Sequence, residues 1–295
     1  MSPLIAPVST ATRFDHKRVS TRIRKLAMPV LWTSFAPDPR TGLQNFTADL
    51  VDEFQNVIDA LRSEACTTTA PLHYAVVQSR HPDYFSVGGD LNFFRECIQA
   101  RQADRLYAYS MRCLNLLHGW SAQMKETLTS ISLVQGRALG GGFEMALSTD
   151  FLIAEEQSTF GFPEIMFGLF PCTGAMSLLT DRIGARQAER MMTNKKIYKA
   201  AELLDMGLID QVCAKGEGEL AVEQFVANHS SRLKARLKVQ ASRYRHAPLD
   251  HVEGVRIVED WVETAMSLTP DELRSLDMLI MMQRPDREAA ARLAS

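Results

Sequence analysis

Two carboxylates and two glycine turns carry the chemistry that this chain can do. Three glycines, Gly140 to Gly142, run into Phe143 and Glu144 in LVQGRALGGGFEMALSTDFLIAEE, whose flanks are apolar enough to be buried. A buried carboxylate is costly unless it is paired or used. A strand that ends in glycines and opens a helix presents free N–H groups at the positive end of the helix dipole. An anion, or an oxygen becoming one, is stabilised there. The plain alternative is a tight turn with close helix packing. SVGGDL, 86–91, is a second turn of this kind, with Asp90 as a natural N-cap. One N–H from each turn could converge on a single carbonyl oxygen, which is the geometry of an oxyanion hole.

Glu164 sits between Pro163 and apolar neighbours in GFPEIMFGLFP. Alone it reads as a solvated loop charge or a first-turn helix charge. Beside Glu144 it suggests a coupled acid/base pair. Burial and mutual repulsion then raise at least one pKa, so that one carboxyl is protonated while the other is ionised. Such a pair can hold a water, or move a proton on and off carbon and oxygen.

The elements that must position these groups are legible from periodicity. Residues 46–64 form an amphipathic helix with Leu50, Val51, Phe54, Val57, Ile58 and Leu61 on one face and Thr47 as N-cap. A short apolar strand covers 73–79, a loop 80–90, and helices 91–101 and 103–120. TSISLVQG is a buried strand running into the glycines, FEMALS a short helix and FLIAEE a strand, with helices at 174–183, 185–193 and 200–206. This alternation predicts stacked α/β units with largely parallel strands. From Glu219 onward the pattern is almost wholly helical, with Val252, Val255, Val258, Trp261, Val262, Ala265 and Met266 on one face. The expected organisation is a flexible arm over 1–22, a catalytic core over 23–216 and a helical lobe over 217–295. The lobe has more apolar face than it can bury alone, which points to a subunit interface.

With 295 residues, 46% of them hydrophobic, the chain can bury a full core, and a net charge of −2 gives no general reason to expect nucleic acid or an anionic membrane. No apolar run reaches transmembrane length, and the N-terminal stretch lacks a signal-peptide core. The five cysteines (Cys66, Cys97, Cys113, Cys172, Cys213) are scattered without CxxC, so they read as reduced thiols of a cytoplasmic protein. No metal motif and no cofactor motif appears.

Taken in order, SVGGDL, VQGRALGGGFEMAL and GFPEIMFGLFP resemble the crotonase (enoyl-CoA hydratase/isomerase) superfamily from about residue 25 to the C-terminus. The resemblance implies an α/β spiral of ββα units with a C-terminal helical lobe, and trimers or dimers of trimers. It implies Gly89 and Gly141 as the two oxyanion N–H donors, and Glu144 and Glu164 as the two catalytic glutamates. Within that superfamily YFSVGGDLNFF, YAYSMRCLNLLHGW, IAEEQSTFGFPEIMFGLFP and WVETAMSLTPDELRSLDMLI look like the bacterial diffusible-signal-factor synthases. Those enzymes dehydrate a 3-hydroxyacyl group on acyl carrier protein and hydrolyse the thioester, releasing a free cis-2-unsaturated fatty acid used in quorum sensing. They also dock a regulatory sensor kinase. An ordinary enoyl-CoA hydratase acting on CoA thioesters and a non-catalytic binding protein of the same fold are the other two readings.

Hydratases of the superfamily carry a glycine run where this chain has FPCTGAMS, so that Cys172 replaces a glycine while Gly174 remains. A nucleophilic Cys172 would need a base, and none is evident beside it, so it is read as shaping the pocket. Met166, Phe167, Leu169 and Phe170, with Phe93, Phe94 and Met176, are plain core or the lining of an acyl tunnel that the 107–120 helix would cover. His73 and His118 are read as structural.

Overall fold

The computed structural model describes residues 16–64, 72–122, 128–246 and 249–283. Strands β1 (Val19–Lys25) and β2 (Pro29–Phe35) precede helix α1 (Ala48–Glu64). Then follow β3 (Tyr74–Ser79), β4 (Tyr84–Ser86), α2 (Leu91–Gln99) and α3 (Ala103–Ala122). The next turn is β5 (Thr129–Val134), β6 (Arg137–Leu139) and α4 (Gly141–Leu147). The third is β7 (Phe151–Glu155), β8 (Thr159–Gly161), a 3₁₀ turn (Glu164–Phe167), α5 (Ala175–Ile183) and α6 (Ala185–Thr193). After it come β9 (Tyr198–Lys199), α7 (Ala200–Asp205), β10 (Gln211–Cys213) and helices α8 (Gly218–His229), α9 (Leu233–His246), α10 (His251–Met266) and α11 (Pro270–Gln283).

The repeat is visible in the strand order. One sheet runs β1-β2-β3-β5-β7-β10 and the other β4-β6-β8-β9. β1 and β2 both lie in the large sheet, and the three units that follow, β3-β4, β5-β6 and β7-β8, each give their first strand to the large sheet and their second to the small one. All pairings are parallel except β1 with β2 and β8 with β9. This is the expected spiral of ββα units. β3 and β5 are buried along their whole length, as parallel strands covered on both faces must be. Alternate residues serve different cores: Ala75 and Val77 face the large core with α1, while Tyr74 and Val76 face a smaller one with Ala221, Val222 and Val226 of α8. The six residues expected on the inner face of α1 are all buried.

Two expectations change. β1 begins at Val19, which pairs with Phe35, so Val19–Arg22 belong to the sheet and not to a free arm. Residues 1–15 and Cys66 lie outside the described residues, and the other four cysteines are free. The helical segment from 217 also divides. α8 packs on β5 and β7 and α9 reaches the start of β5 through Gln240, whereas α10 packs on α3 and α11 on α2 and the 3₁₀ turn of the same chain. Val258, Trp261, Val262 and Ala265 are thereby buried within one protomer, while Val252 stays 61% exposed. Met278, Met281 and Met282 of α11 also stay exposed, so part of the lobe's apolar surface is not covered by its own chain.

Candidate active site

The glycine turns adopt backbone that only glycine takes easily. Gly88 has φ +95° and Gly140 φ +53°. They also meet. A Cβ on Gly88 would lie 3.2 Å from the Gly141 N, and one on Gly141 would lie 3.7 Å from the Gly89 N. Neither the Gly89 N–H nor the Gly141 N–H donates to any described residue. Neighbouring groups do the anchoring instead: Phe46 N–H donates to Gly88 O (2.9 Å), Gly140 N–H to Gly161 O (2.9 Å), and Val87 N–H to Gln44 O (2.8 Å). The Tyr109 hydroxyl donates to Phe46 O, and the Asp90 side chain caps α2 at the Phe93 N–H. Two unshared donors therefore converge at one place, each opening a helix.

Glu144 lies in the first turn of α4 and is 2% exposed. Its Oε1 accepts the Thr173 N–H (2.8 Å) and the Ala175 N–H (3.0 Å), and its Oε2 accepts the Thr173 hydroxyl (2.6 Å). The carboxylate thus sits at the N-terminus of α5, where helix polarity favours it. Burial pushes the Glu144 carboxyl up, and these donors work against that.

Glu164 opens the 3₁₀ turn and lies over Gly140, where a Cβ would approach its Oε1 to 2.3 Å. Its Oε2 is buried with no hydrogen-bond partner. Burial and then the Glu144 charge push the Glu164 carboxyl up to about 8. The asymmetry is therefore structural: one carboxyl has three donors and the other has an orphaned oxygen.

Gly89, Gly141, Glu144 and Glu164 all face one narrow, mostly apolar cavity of about 60 Å³. That is room for a few water-sized groups. Tyr109, Ser110, Cys113, Leu116 and Leu117 of α3 form one wall, as expected of that helix, and Phe94, Phe46 and Trp261 close the rest. Of the residues expected to line a pocket, Phe94, Phe170 and Cys172 do so, and Phe93 and Met176 do not. Gly174, at φ +130°, is the N-cap of α5 behind Glu144. Met166, Phe167 and Leu169 do not line the cavity. The 3₁₀ turn aims Met166 outward at 53% exposure and sends Phe167 and Leu169 into the core with α10 and α11. Thr173 and Trp261 are the additions. Thr173 carries a signal in retrospect, a hydroxyl just before the glycine that opens a helix; for Trp261 only its place on an apolar face was visible. Burial raises the Cys172 thiol well above its usual range and the Cys113 thiol to about 12, so both are neutral thiols. Among the described residues no cluster of His, Cys, Asp or Glu could hold a metal, and no helix is long and apolar enough to cross a membrane.

The enoyl-CoA hydratase/isomerase family model matches residues 38–247, more than half of the chain. The chain belongs to this family. The "Probable enoyl-CoA hydratase" of Rhizobium meliloti is 33% identical over 145 residues, covering 48% of this chain and 56% of that relative. The match thus spans little more than half of the relative's length. Enoyl-CoA hydratase from Bacillus halodurans superposes with a TM-score of 0.72 at 22% identity, covering 89% of this chain and all of the other. Human mitochondrial delta3-delta2-enoyl-CoA isomerase does so with a TM-score of 0.73 at 20% identity over 92% of this chain and all of the other. At those identities the superpositions establish the crotonase fold.

Proposed function

We propose that this chain dehydrates a 3-hydroxyacyl thioester, carried on acyl carrier protein or CoA, to a 2-enoyl thioester and then hydrolyses the thioester to a free unsaturated acid. The observation that carries the reading is the pairing, in one apolar cavity, of two unshared backbone N–H donors with two carboxyls of unequal environment, Glu144 buried and hydrogen-bonded and Glu164 half-buried with a buried, unpartnered Oε2. A thioester oxygen between the Gly89 and Gly141 N–H groups gains stabilisation as it becomes an enolate oxygen, which acidifies the carbon beside it. The ionised carboxyl takes the α-proton, and the protonated one gives its proton to the departing 3-hydroxyl. Water leaves with that proton, and the pair ends with its protonation exchanged. In the second half the same donors hold the tetrahedral oxyanion while the ionised carboxylate draws a proton from the attacking water. Collapse of the intermediate breaks the C–S bond, and the protonated carboxyl gives its proton to the departing thiolate, which restores the resting pair. The resemblance to diffusible-signal-factor synthases supports a medium-chain cis-2-enoic acid signal as the product, a homotrimer or hexamer as the assembly, and a sensor kinase as a regulatory partner.

Plain hydration of an enoyl-CoA is the second reading, supported by the Rhizobium meliloti relative's name. The same pair would run the first half in reverse and leave the thioester intact. Mass spectrometry separates the two. Purified protein is incubated with 3-hydroxydodecanoyl thioester on each carrier, alongside Glu144→Ala and Glu164→Ala. Free dodecenoic acid, lost in both variants, is the expected result. A thioester product without free acid moves the assignment to the hydratase, and no turnover on either carrier overturns both readings.

A further inference from the structure

Both backbone donors to Glu144 go to Oε1, and Oε2 has one partner, the Thr173 hydroxyl at 2.6 Å. Without that hydroxyl Oε2 would be bare, as Glu164 Oε2 is. Glu144 would then keep its backbone donors but lose the hydroxyl that reaches Oε2, and its advantage over Glu164 in holding the charge would shrink. We propose that Thr173 is a positioning residue that sorts the proton of the pair: its hydroxyl holds Glu144 as the carboxylate and leaves the proton on Glu164. This deepens the acid/base reading above and rests on it for its catalytic meaning.

The rest of the cavity makes the hydroxyl decisive. The described lining contains no Lys, Arg or His, so no cation faces Glu144. Its other titratable groups are Tyr109 and Cys113 of α3, Cys172 on the segment before α5, and Glu164 on the 3₁₀ turn. Burial holds all of them neutral: Tyr109 and Cys172 lie well above their usual ranges, Cys113 is near 12, and Glu164 is at about 8. Only hydrogen-bond donors can therefore stabilise a charge there. A hydroxyl can in principle accept as well as donate. If Glu144 carried the proton on Oε2, however, the Thr173 hydrogen would have to find another acceptor, and Glu144 Oε2 is the one acceptor it meets among the described residues. The donating orientation, with an ionised Glu144, leaves neither the Thr173 hydrogen nor Glu144 Oε2 without a partner. The resting protein then has one base, Glu144, and one acid, Glu164.

The test reads protonation directly. In Glu164→Gln protein, Glu144 is the carboxyl of this pair that remains, and its ionisation midpoint is followed by the infrared carbonyl band of the protonated acid. A hydrogen bond to a charged group stabilises it about ten- to hundredfold, so Thr173→Val in that background raises the midpoint by about one to two pH units. Thr173→Ser restores the parent midpoint because it restores the hydroxyl. With both glutamates present, Thr173→Val moves the acid limb of kcat/KM upward by a similar amount, and Thr173→Ser does not. A midpoint unchanged in Thr173→Val overturns the proposal; if valine does not fold, Thr173→Ala is read in the same way. The band needs no substrate. Failure of every thioester to turn over would defeat the dehydratase reading, whereas an unmoved midpoint would defeat this one.

Discussion

Gly141→Ala separates the fold from the chemistry. A methyl added there would meet the Gly89 N at 3.7 Å, the Gly88 Cα at 3.8 Å and Glu144 Oε2 at 3.9 Å. These are ordinary contacts, and the residue is the first of α4. Alanine at such a position restricts the unfolded chain, so stability changes by no more than about 1 kcal/mol and in the favourable direction. The methyl nonetheless fills the space between the Gly89 N–H and Glu144, where the thioester oxygen would sit. Loss of one oxyanion donor lowers turnover by about 10²–10³-fold, or about 3–4 kcal/mol of transition-state stabilisation. Gly142→Ala is the control: its Cβ would lie 2.5 Å from the Ser86 carbonyl oxygen, a backbone atom that cannot move aside. That variant loses stability as well as activity. The assay is thermal melting paired with kcat/KM for 3-hydroxyacyl thioester dehydration. Gly141→Ala protein that melts normally and still turns over at the wild-type rate would refute the placement of the oxygen.

Three further outcomes follow from other parts of the site. Glu164 holds its proton up to about pH 8 in the fold and loses it near its ordinary value when unfolded, so its stability contribution is full at low pH and is lost as pH rises toward 8. Glu164→Gln is therefore more stable than wild type in denaturant titrations, by a margin that widens from about pH 5 to about pH 8. Arg18, 1% exposed, donates to Ala36 O, Thr47 Oγ1 and Asn45 O, pinning the segment that leads to Phe46. Arg18→Met orphans these acceptors and costs about 3 kcal/mol in denaturant unfolding; Arg18→Lys recovers little, because lysine lacks the fork. Cys172→Ala keeps turnover within about threefold, and intact-mass spectra show no acyl-enzyme on wild type, since a buried neutral thiol is a poor nucleophile.

The four residues that face the cavity with chemistry were legible because their signals are local. A glycine run after a strand forces a turn, and a glutamate in the first helical turn that follows, among apolar neighbours, has few other uses. The parallel α/β core was legible for a related reason: β3 opens on the apolar run Tyr74–Val77, and strand and helix patterns alternate after it, whereas β5 mixes Thr129, Ser130 and Ser132 with Ile131, Leu133 and Val134 and is buried all the same. What a periodic apolar face cannot say is which surface it meets. The face of α10 was visible in the sequence, yet its partner is α3 of its own chain, where Gly254 admits Leu114 so closely that a Cβ would stand 2.8 Å from Leu114 Cδ1. Nor does an apolar string reveal a 3₁₀ turn. The i+3 spacing of that turn rotates Met166 out to solvent and Phe167 inward, which no helix or strand period describes.

The same packing explains why the two glutamates differ at all. Both arise from ββα units, at equivalent places after a second-sheet strand, and nothing in their own neighbours in sequence separates them. Glu144 lies where α5 begins, so backbone donors point at it. Glu164 lies where the chain turns toward the segment under α11, so none reach its Oε2. The wall that keeps water from that oxygen's cavity includes Trp261, stacked edge-on against Phe94 with ring centroids 5.1 Å apart. Trp261 belongs to a helix that offers no acid, base or nucleophile to the cavity. Its contribution is dryness, and dryness is the largest cause of the raised Glu164 carboxyl. The C-terminal helices therefore raise the cost of charge in the cavity without offering it a proton, and the donors at the start of α5, which reach Glu144 and not Glu164 Oε2, favour Glu144 as the carboxyl that bears the charge.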